Sequence, residues 1–352
     1  MKRVTAFVGG ARQEHAHDAV VKSLGNRQSM GDIDRLVAQT THRAMGTVMT
    51  HKAFGLRARD SLAALCREVA RIEGLLSRFL PGSDISRVNR SAGTRSEKVS
   101  PETYDVLSKA VEFSQHFQGC FDVTIQPLVA LWSVGKESGA QPDKASIQQV
   151  LPLVNYRDVI LDPRARTAGL RNAGQSVDLG GIGKGFAGDK VLEVLKRFGV
   201  SSAYSNLGGN VVTLGAKPDG SPWHVGIQHP RQEGGLVGAV AVVNESVVTS
   251  GDYQRYFTDS QGRRHHHILD PTTGYPAESG LISVSIVAER SLAADALSTI
   301  LFIAGMERGL EFLRSFPQTE AILVDSDLRV YVTQGLTCRF QAAKGIEVTI
   351  LD

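Results

Sequence analysis

The stretch Arg290-Ser-Leu-Ala-Ala-Asp295-Ala-Leu-Ser-Thr299-Ile-Leu-Phe-Ile-Ala304, followed at once by Gly305, decides how the chain is read. It predicts a helix fit for burial and closed by the glycine. Asp295 is the only charge between Arg290 and Glu307. Four residues separate it from Thr299, so the two side chains share one helix face a turn apart. A buried carboxylate needs a partner, because an unpaired charge there costs several kcal/mol. Carboxylate and hydroxyl together supply two corners of a hard-oxygen cage of the kind that suits Mg²⁺. The residues equally allow Asp295 to cap a neighbouring loop and Thr299 to bond back to the backbone.

Working outward, apolar residues at helical spacing predict an amphipathic helix over 59–78, with Leu62, Leu65, Val69, Ile72 and Leu76 facing a core. Ser100-Pro101 opens a second helix with an N-cap and a first-turn proline, and Gly119 closes it. A third runs from Phe186 to Phe198 and stops at Gly199. Strands are expected at Ala203–Ser205, Val211–Leu214, Trp223–Ile227, Val237–Val243 and Leu281–Val287. Ile322–Val324 and Val330–Thr333 form a hairpin around Ser326-Asp327. Helices and strands are mixed without strict alternation, so the body from residue 39 to 352 is an α+β or mixed α/β fold. Residues 1–38 stand apart as an extension. A strand at Arg3–Val8, the Gly9-Gly10 turn and a short helix make it resemble the start of a flavodoxin-like domain, here a remnant.

The chain has 352 residues, 42% hydrophobic and 21% charged, which excludes a disordered or fibrous protein. A net charge of +3 gives no case for nucleic acid as a partner. Cys66, Cys120 and Cys338 lie far apart without CxxC spacing, so neither a disulfide framework nor a zinc motif is visible, and each reads as a small buried hydrophobe. No apolar run reaches the roughly 18 residues of a membrane span. Met1–Gly10 is too short and too broken for a secretory signal, so a cytoplasmic location is expected.

Two glycine-rich segments point to an anion. Val177-Asp178-Leu-Gly180-Gly181-Ile-Gly183-Lys184-Gly185-Phe186-Ala187 runs into a helix start, where N–H groups, the helix dipole and Lys184 would face negative charge. It is not a Walker loop, since Gly185 follows the lysine. Asn206-Leu-Gly208-Gly209-Asn210 supplies a second glycine pair after a strand. Together the loops suggest a cleft for a long phosphate ligand. Thr249-Ser250-Gly251-Asp252-Tyr253 is followed by His265-His266-His267-Ile-Leu-Asp270-Pro271 and Thr273-Gly274-Tyr275-Pro276. On a strand His265 and His267 share a face and His266 opposes them. A proton-shuttling or phosphate-contacting histidine fits this better than zinc. His224 and His229 read as surface or loop groups.

In this order, the segments resemble the ApbE family of flavin transferases. The likeness also takes in Ala44-Met45-Gly46-Thr47, Ser77-Arg78-Phe79, Ser83-Asp84-Ile85-Ser86-Arg87-Val88-Asn89, Phe121-Asp122-Val123-Thr124 with Pro127-Leu128, and Trp223–Ile227. It implies two packed subdomains with FAD, the substrate, in the cleft between them. It also implies Mg²⁺-dependent transfer of FMN to a Thr or Ser hydroxyl of an acceptor flavoprotein, with release of AMP. Some relatives only hydrolyse FAD to FMN and AMP. A non-catalytic flavin-binding module is the remaining alternative, although binding alone would not call for the metal pair.

On this resemblance the metal ligands fall on Asp295, Thr299 and the Gly183 carbonyl, where alanine is usual. His267 is the candidate base. Met45, Phe79, Asp178, Gly181, Lys184, Gly208, Gly209, Ser250, Asp252 and His267 match cofactor-binding positions. Many relatives carry a lipobox cysteine near the start, whereas here the first cysteine is Cys66.

Overall fold

The computed structural model describes residues 37–132 and 141–351. Of the extension read at residues 1–38 as a flavodoxin-like remnant, residues 1–36 lie outside the described residues, and Val37 and Ala38 open β1. The chain runs β1 (Val37–Ala44), β2 (Thr47–Phe54), α1 (Ala58–Leu76), α2 (Asp84–Arg90), β3 (Glu97–Lys98) and α3 (Pro101–His116). It continues through α4 (Gln126–Trp132), α5 (Lys144–Val150), β4 (Val159–Asp162), β5 (Thr167–Leu170) and α6 (Gly183–Arg197). Next come β6 (Ser202–Leu207), β7 (Asn210–Leu214), β8 (Trp223–Gln228), β9 (Leu236–Val242), β10 (Ser246–Gly251), β11 (Tyr256–Thr258), β12 (Arg264–His266) and β13 (Leu281–Ala288). α7 (Ser291–Ala304), α8 (Met306–Leu313), β14 (Glu320–Asp325), β15 (Val330–Thr333), β16 (Phe340–Ala342) and β17 (Val348–Leu351) complete the chain.

A nine-stranded sheet in the order β1-β2-β6-β7-β10-β13-β14-β15-β17 is the frame. Its neighbours are antiparallel except for the parallel pair β15 and β17. Helices α1, α6 and α7 cover one face, burying Met49, Leu65, Val212, Val284, Ile286 and Leu297 in one core. The three-stranded sheet β16-β9-β8 closes the other face over Val247, Val287 and Val324 with Trp223 and Val225. Covering on both faces explains why every residue of β13 is buried and why its sequence reads as a nearly continuous apolar run. Between α1 and α6 the chain builds a second lobe from α2–α5 and the sheet β3-β5-β4. There Asn89 binds both backbone groups of Val177, as a neighbouring strand would, at 2.7 and 3.0 Å. That bond fixes the entry to the glycine segment.

Most expected elements are present. α7 spans Ser291–Ala304 and ends on Gly305 at φ 80°. Ser100 caps α3 by accepting from the Thr103 N–H at 3.2 Å. One expectation needs correcting: α6 begins at Gly183, not Phe186, so Lys184 and Gly185 lie in its first turn. The cause is a partner from afar, since Asp295 Oδ2 accepts the Gly185 N–H at 2.7 Å. The reading of the cysteines also needs correction: Cys120 is buried, Cys66 half-buried and Cys338 exposed. His229 lies in the loop after β8, as expected, but is buried there, and its Nδ1 accepts the Arg231 N–H at 3.1 Å.

α6 and α7 meet backbone to backbone. A Cβ at Gly185 would lie 2.4 Å from the Ser291 carbonyl oxygen and 2.6 Å from Asp295 Cβ, and one at Gly188 would lie 2.7 Å from Ser291 Oγ. These glycines permit helix contact rather than ligand approach. Gly185→Ala should therefore cost about 1–3 kcal/mol by overpacking, read as a lower urea midpoint, whereas wild-type stability would mean the helices are less closely apposed.

Candidate active site

Two tight turns and two helix faces converge at one end of the large sheet. β1 and β2 are joined by Met45-Gly46, both in the left-handed region at φ 50° and 73°. β6 and β7 are joined by Gly208-Gly209 at φ 65° and 103°. The two turns touch: a Cβ on Gly208 would fall 2.3 Å from Thr47 Oγ1. A two-residue hairpin turn of this hand suits glycine, and a methionine in it is strained. Glu73 of α1 holds Met45 there by accepting its N–H at 2.8 Å. The Met45 methyl consequently lies close to Gly183, 3.8 Å from where a Cβ would sit.

Asp295 is only 4% exposed. Burial pushes its carboxyl pKa up, while the Lys184 charge, the Gly185 N–H and the Asn210 amide pull it back. Lys184 donates to Asn210 Oδ1 at 3.1 Å. Its ammonium is pushed below the ordinary lysine range by burial, opposed by Asp295 and assisted by the nearby Arg255 charge. One turn along α7, Thr299 Oγ1 lies 3.2 Å from Ser250 Oγ, which is 2.8 Å from Ser298 Oγ. Ser298 is the hydroxyl that bonds back, to the Asp295 carbonyl at 2.9 Å. Gly181 abuts Thr299, since its Cβ would lie 3.4 Å from Oγ1. The donors gathered here are a carboxylate and hydroxyls, and hard oxygens of this kind fit Mg²⁺.

At the rim, Asp178 pairs with Arg78 at 2.8 Å, and the Arg78 guanidinium lies 4.0 Å from the centre of the Phe79 ring. Asp178 also accepts the Gly180 N–H at 2.6 Å, tying that pair to the glycine segment. Phe79 is 75% exposed, so core packing does not account for it. The ring face opposite Arg78 is one on which a flat heterocycle can stack.

The three adjacent histidines diverge. His265 Nε2 meets Asp259 Oδ2 at 2.9 Å, and His266 Nε2 meets the Ala277 carbonyl at 3.1 Å. His267 Nδ1 lies 3.1 Å from the Arg255 carbonyl. A carbonyl only accepts, which assigns the proton to Nδ1 and leaves Nε2 with a free lone pair. Burial and the Arg255 charge, with smaller contributions from His266 and Lys184, lower the His267 pKa to about 3.

Asp295, Thr299, Gly181, Gly183, Lys184, Met45 and Ser250 are thus drawn into one connected group, with Gly208-Gly209 beside it and His267 within electrostatic reach of Lys184. The Asp252 carboxylate forms a two-pronged pair with Arg231 at 2.7 Å on both oxygens. Sequence reasoning missed Glu73, Asn210 and Arg255 as contributors. Asn210 ends a quoted glycine segment and was within reach of that signal; Glu73 and Arg255 carried none.

The sequence model of the ApbE family matches residues 45–323. The chain is 33% identical over 337 residues to an FAD:protein FMN transferase of Treponema pallidum, covering 91% of each chain. To an FAD:protein FMN transferase of Klebsiella pneumoniae it is 36% identical over 273 residues, 77% of this chain and 84% of the relative. The crystal structure of the ApbE protein of Thermotoga maritima superposes with a TM-score of 0.77 at 30% identity, covering 84% of this chain and 96% of the other. A mixed α/β body with this site defines a flavin-transferase type of protein, and the chain belongs to the ApbE family. Among the described residues no helix is long and apolar enough to cross a membrane.

His267 has a testable acid signature. Its folded pKa lies below the unfolded value near 6.5, so its contribution to stability is present above that pH and lost as pH falls toward about 3. The urea-midpoint advantage of wild type over His267→Gln should shrink across that window. An advantage that stays constant would contradict a neutral His267.

Proposed function

We propose that this protein is an FAD:protein FMN transferase, with residues 39–352 acting as its flavin transferase unit. It moves the FMN part of FAD to a Thr or Ser hydroxyl of an acceptor flavoprotein, uses Mg²⁺ and releases AMP. The observation that carries this reading is the buried Asp295, held between Lys184 and the first turn of α6 beside the Thr299 and Ser250 hydroxyls. Family membership and the FAD:protein FMN transferases among its relatives support the same activity.

In this reading FAD lies in the cleft between the sheet-based body and the α2–α5 lobe. Phe79 stacks on the flat ring, Met45 packs against it, and Asp178 keeps Arg78 beside Phe79. Lys184 and Arg255 balance the pyrophosphate charge, which grows on the AMP side as the bridging bond breaks. Asp295 and Thr299, with the Gly183 carbonyl, are the residues that would hold Mg²⁺. Bound there, the cation would supply further charge neutralisation at the phosphates.

His267 Nε2 accepts the proton of the acceptor hydroxyl as its oxygen bonds to the FMN phosphorus and the bond to AMP breaks. The proton then passes to solvent. In the free protein Nε2 is a weak base, because burial first and its positive neighbours second oppose protonation. Two phosphate charges arriving beside Lys184 and Arg255 would offset those neighbours and raise its basicity.

Incubation with FAD, Mg²⁺ and a Thr-containing acceptor domain should give in-gel flavin fluorescence on the acceptor, with AMP released. Free FMN with an unlabelled acceptor would make the protein a hydrolase, and unchanged FAD a binder. Asp295→Asn should abolish metal-dependent transfer, and wild-type activity in that variant would remove Asp295 from the site. His267→Ala should lose transfer while keeping FAD binding, and full transfer would exclude it as the base.

A further inference from the structure

On the helix-covered face of the sheet, β1, β2 and α1 bring together two histidines and a cysteine. In the β1–β2 register His42 faces Met49 and Thr40 faces His51, so the histidines are diagonal neighbours on one face. Cys66 projects onto them from α1. Their ligating atoms all lie within 4.8 Å of one another, and no other such group occurs among the described residues. Cys66 Sγ is 3.4 Å from His42 Nδ1, and the imidazole rings stack at 5.1 Å.

His51 is the anomaly. It is 0% exposed, yet among the described residues neither ring nitrogen has a hydrogen-bond partner, and His42 Nε2 is likewise unpaired. Buried polar groups in proteins are nearly always satisfied, and a buried imidazole without partners costs stability that Phe or Leu would not. A metal ion would take the one lone pair that a neutral His51 ring carries, leaving a single N–H of that ring without a partner. Two imidazoles and a thiolate are borderline-to-soft donors, suited to Zn²⁺ rather than Mg²⁺. The observed sulfur–nitrogen separation is close to the roughly 3.5 Å edge of a tetrahedron with ordinary zinc bond lengths.

We propose that His42, His51 and Cys66 form a Zn²⁺ site independent of the Asp295–Thr299 oxygens, with water as the fourth ligand. His51 is already neutral, as a ligand must be, because burial lowers its pKa to about 3, helped by His42. Burial keeps Cys66 a thiol, opposed by Arg67, and burial lowers the His42 pKa, opposed by Glu73. Coordination therefore releases the Cys66 proton to solvent and weakens as pH falls. The ion would clamp the edge hairpin to α1, the helix whose Glu73 holds the Met45 turn.

The test uses the full chain, stripped with chelator and titrated with Co²⁺ as a spectroscopic stand-in for zinc. Expected is one equivalent bound, with a near-ultraviolet thiolate-to-cobalt band and tetrahedral visible bands, both abolished by excess Zn²⁺. Cys66→Ser and His51→Gln, checked for folding by circular dichroism, should lose the thiolate band, and Asp295→Asn should keep it. Zn²⁺ should raise the melting temperature of wild type but not of Cys66→Ser. No thiolate band at one equivalent, the same band in Cys66→Ser, or its loss in Asp295→Asn would each overturn the site.

Discussion

Two helices exchange carboxylates. From α7, Asp295 accepts the Gly185 N–H in the first turn of α6; from α6, Asp189 accepts the N–H of Ser291, the first residue of α7, at 2.8 Å. Each buried acid satisfies an N–H that a helix start would leave orphaned, and each meets the positive end of the other's dipole. The exchange requires the backbones to touch, which the glycines at 185 and 188 allow. It also places a carboxylate next to Lys184 with little freedom to move. The charge arrangement of the site follows from that contact, and side chains around it are set by what the contact leaves open.

The two hairpin turns complete the arrangement from the sheet side. A strained Met45, restrained by Glu73, and the flexible Gly208-Gly209 pair lie side by side because β2 and β6 are neighbours with Met49 opposite Leu207. From the second lobe, Asn89 fixes Val177, and Asp178 next to it joins Arg78 and Phe79 to the glycine segment. The sheet's hairpin turns, the α6–α7 contact and the second lobe thus meet at one place. The exposed Phe79 ring and the buried Lys184 charge are thereby tied to the same glycine segment.

The parts of this picture visible in the sequence are those with local signals. Periodicity and capping mark α1, α3 and α7 because a helix repeats within a few residues. β13 is visible because both of its faces are buried. The spacing of Asp295 and Thr299 gives their shared face at once. What escapes is set by long-range contact. The start of α6 depends on Asp295, more than a hundred residues away, and the Asp252 carboxylate is claimed by Arg231 through a pairing that no spacing predicts. The grouping of His42, His51 and Cys66 arises only from strand register and helix docking. Exposure is equally non-local: Phe79 reads as a core residue or a ligand platform until its surroundings are known.

On the function proposed above, the buried Asp295–Lys184 ensemble binds the FAD pyrophosphate together with a divalent cation. Titration calorimetry of FAD into the purified chain, with and without Mg²⁺, addresses it most directly. Affinity should rise with Mg²⁺ in wild type, lose that dependence in Asp295→Asn, and fall under both conditions in Lys184→Met. A wild-type affinity for FAD that is the same with and without Mg²⁺ would contradict the account.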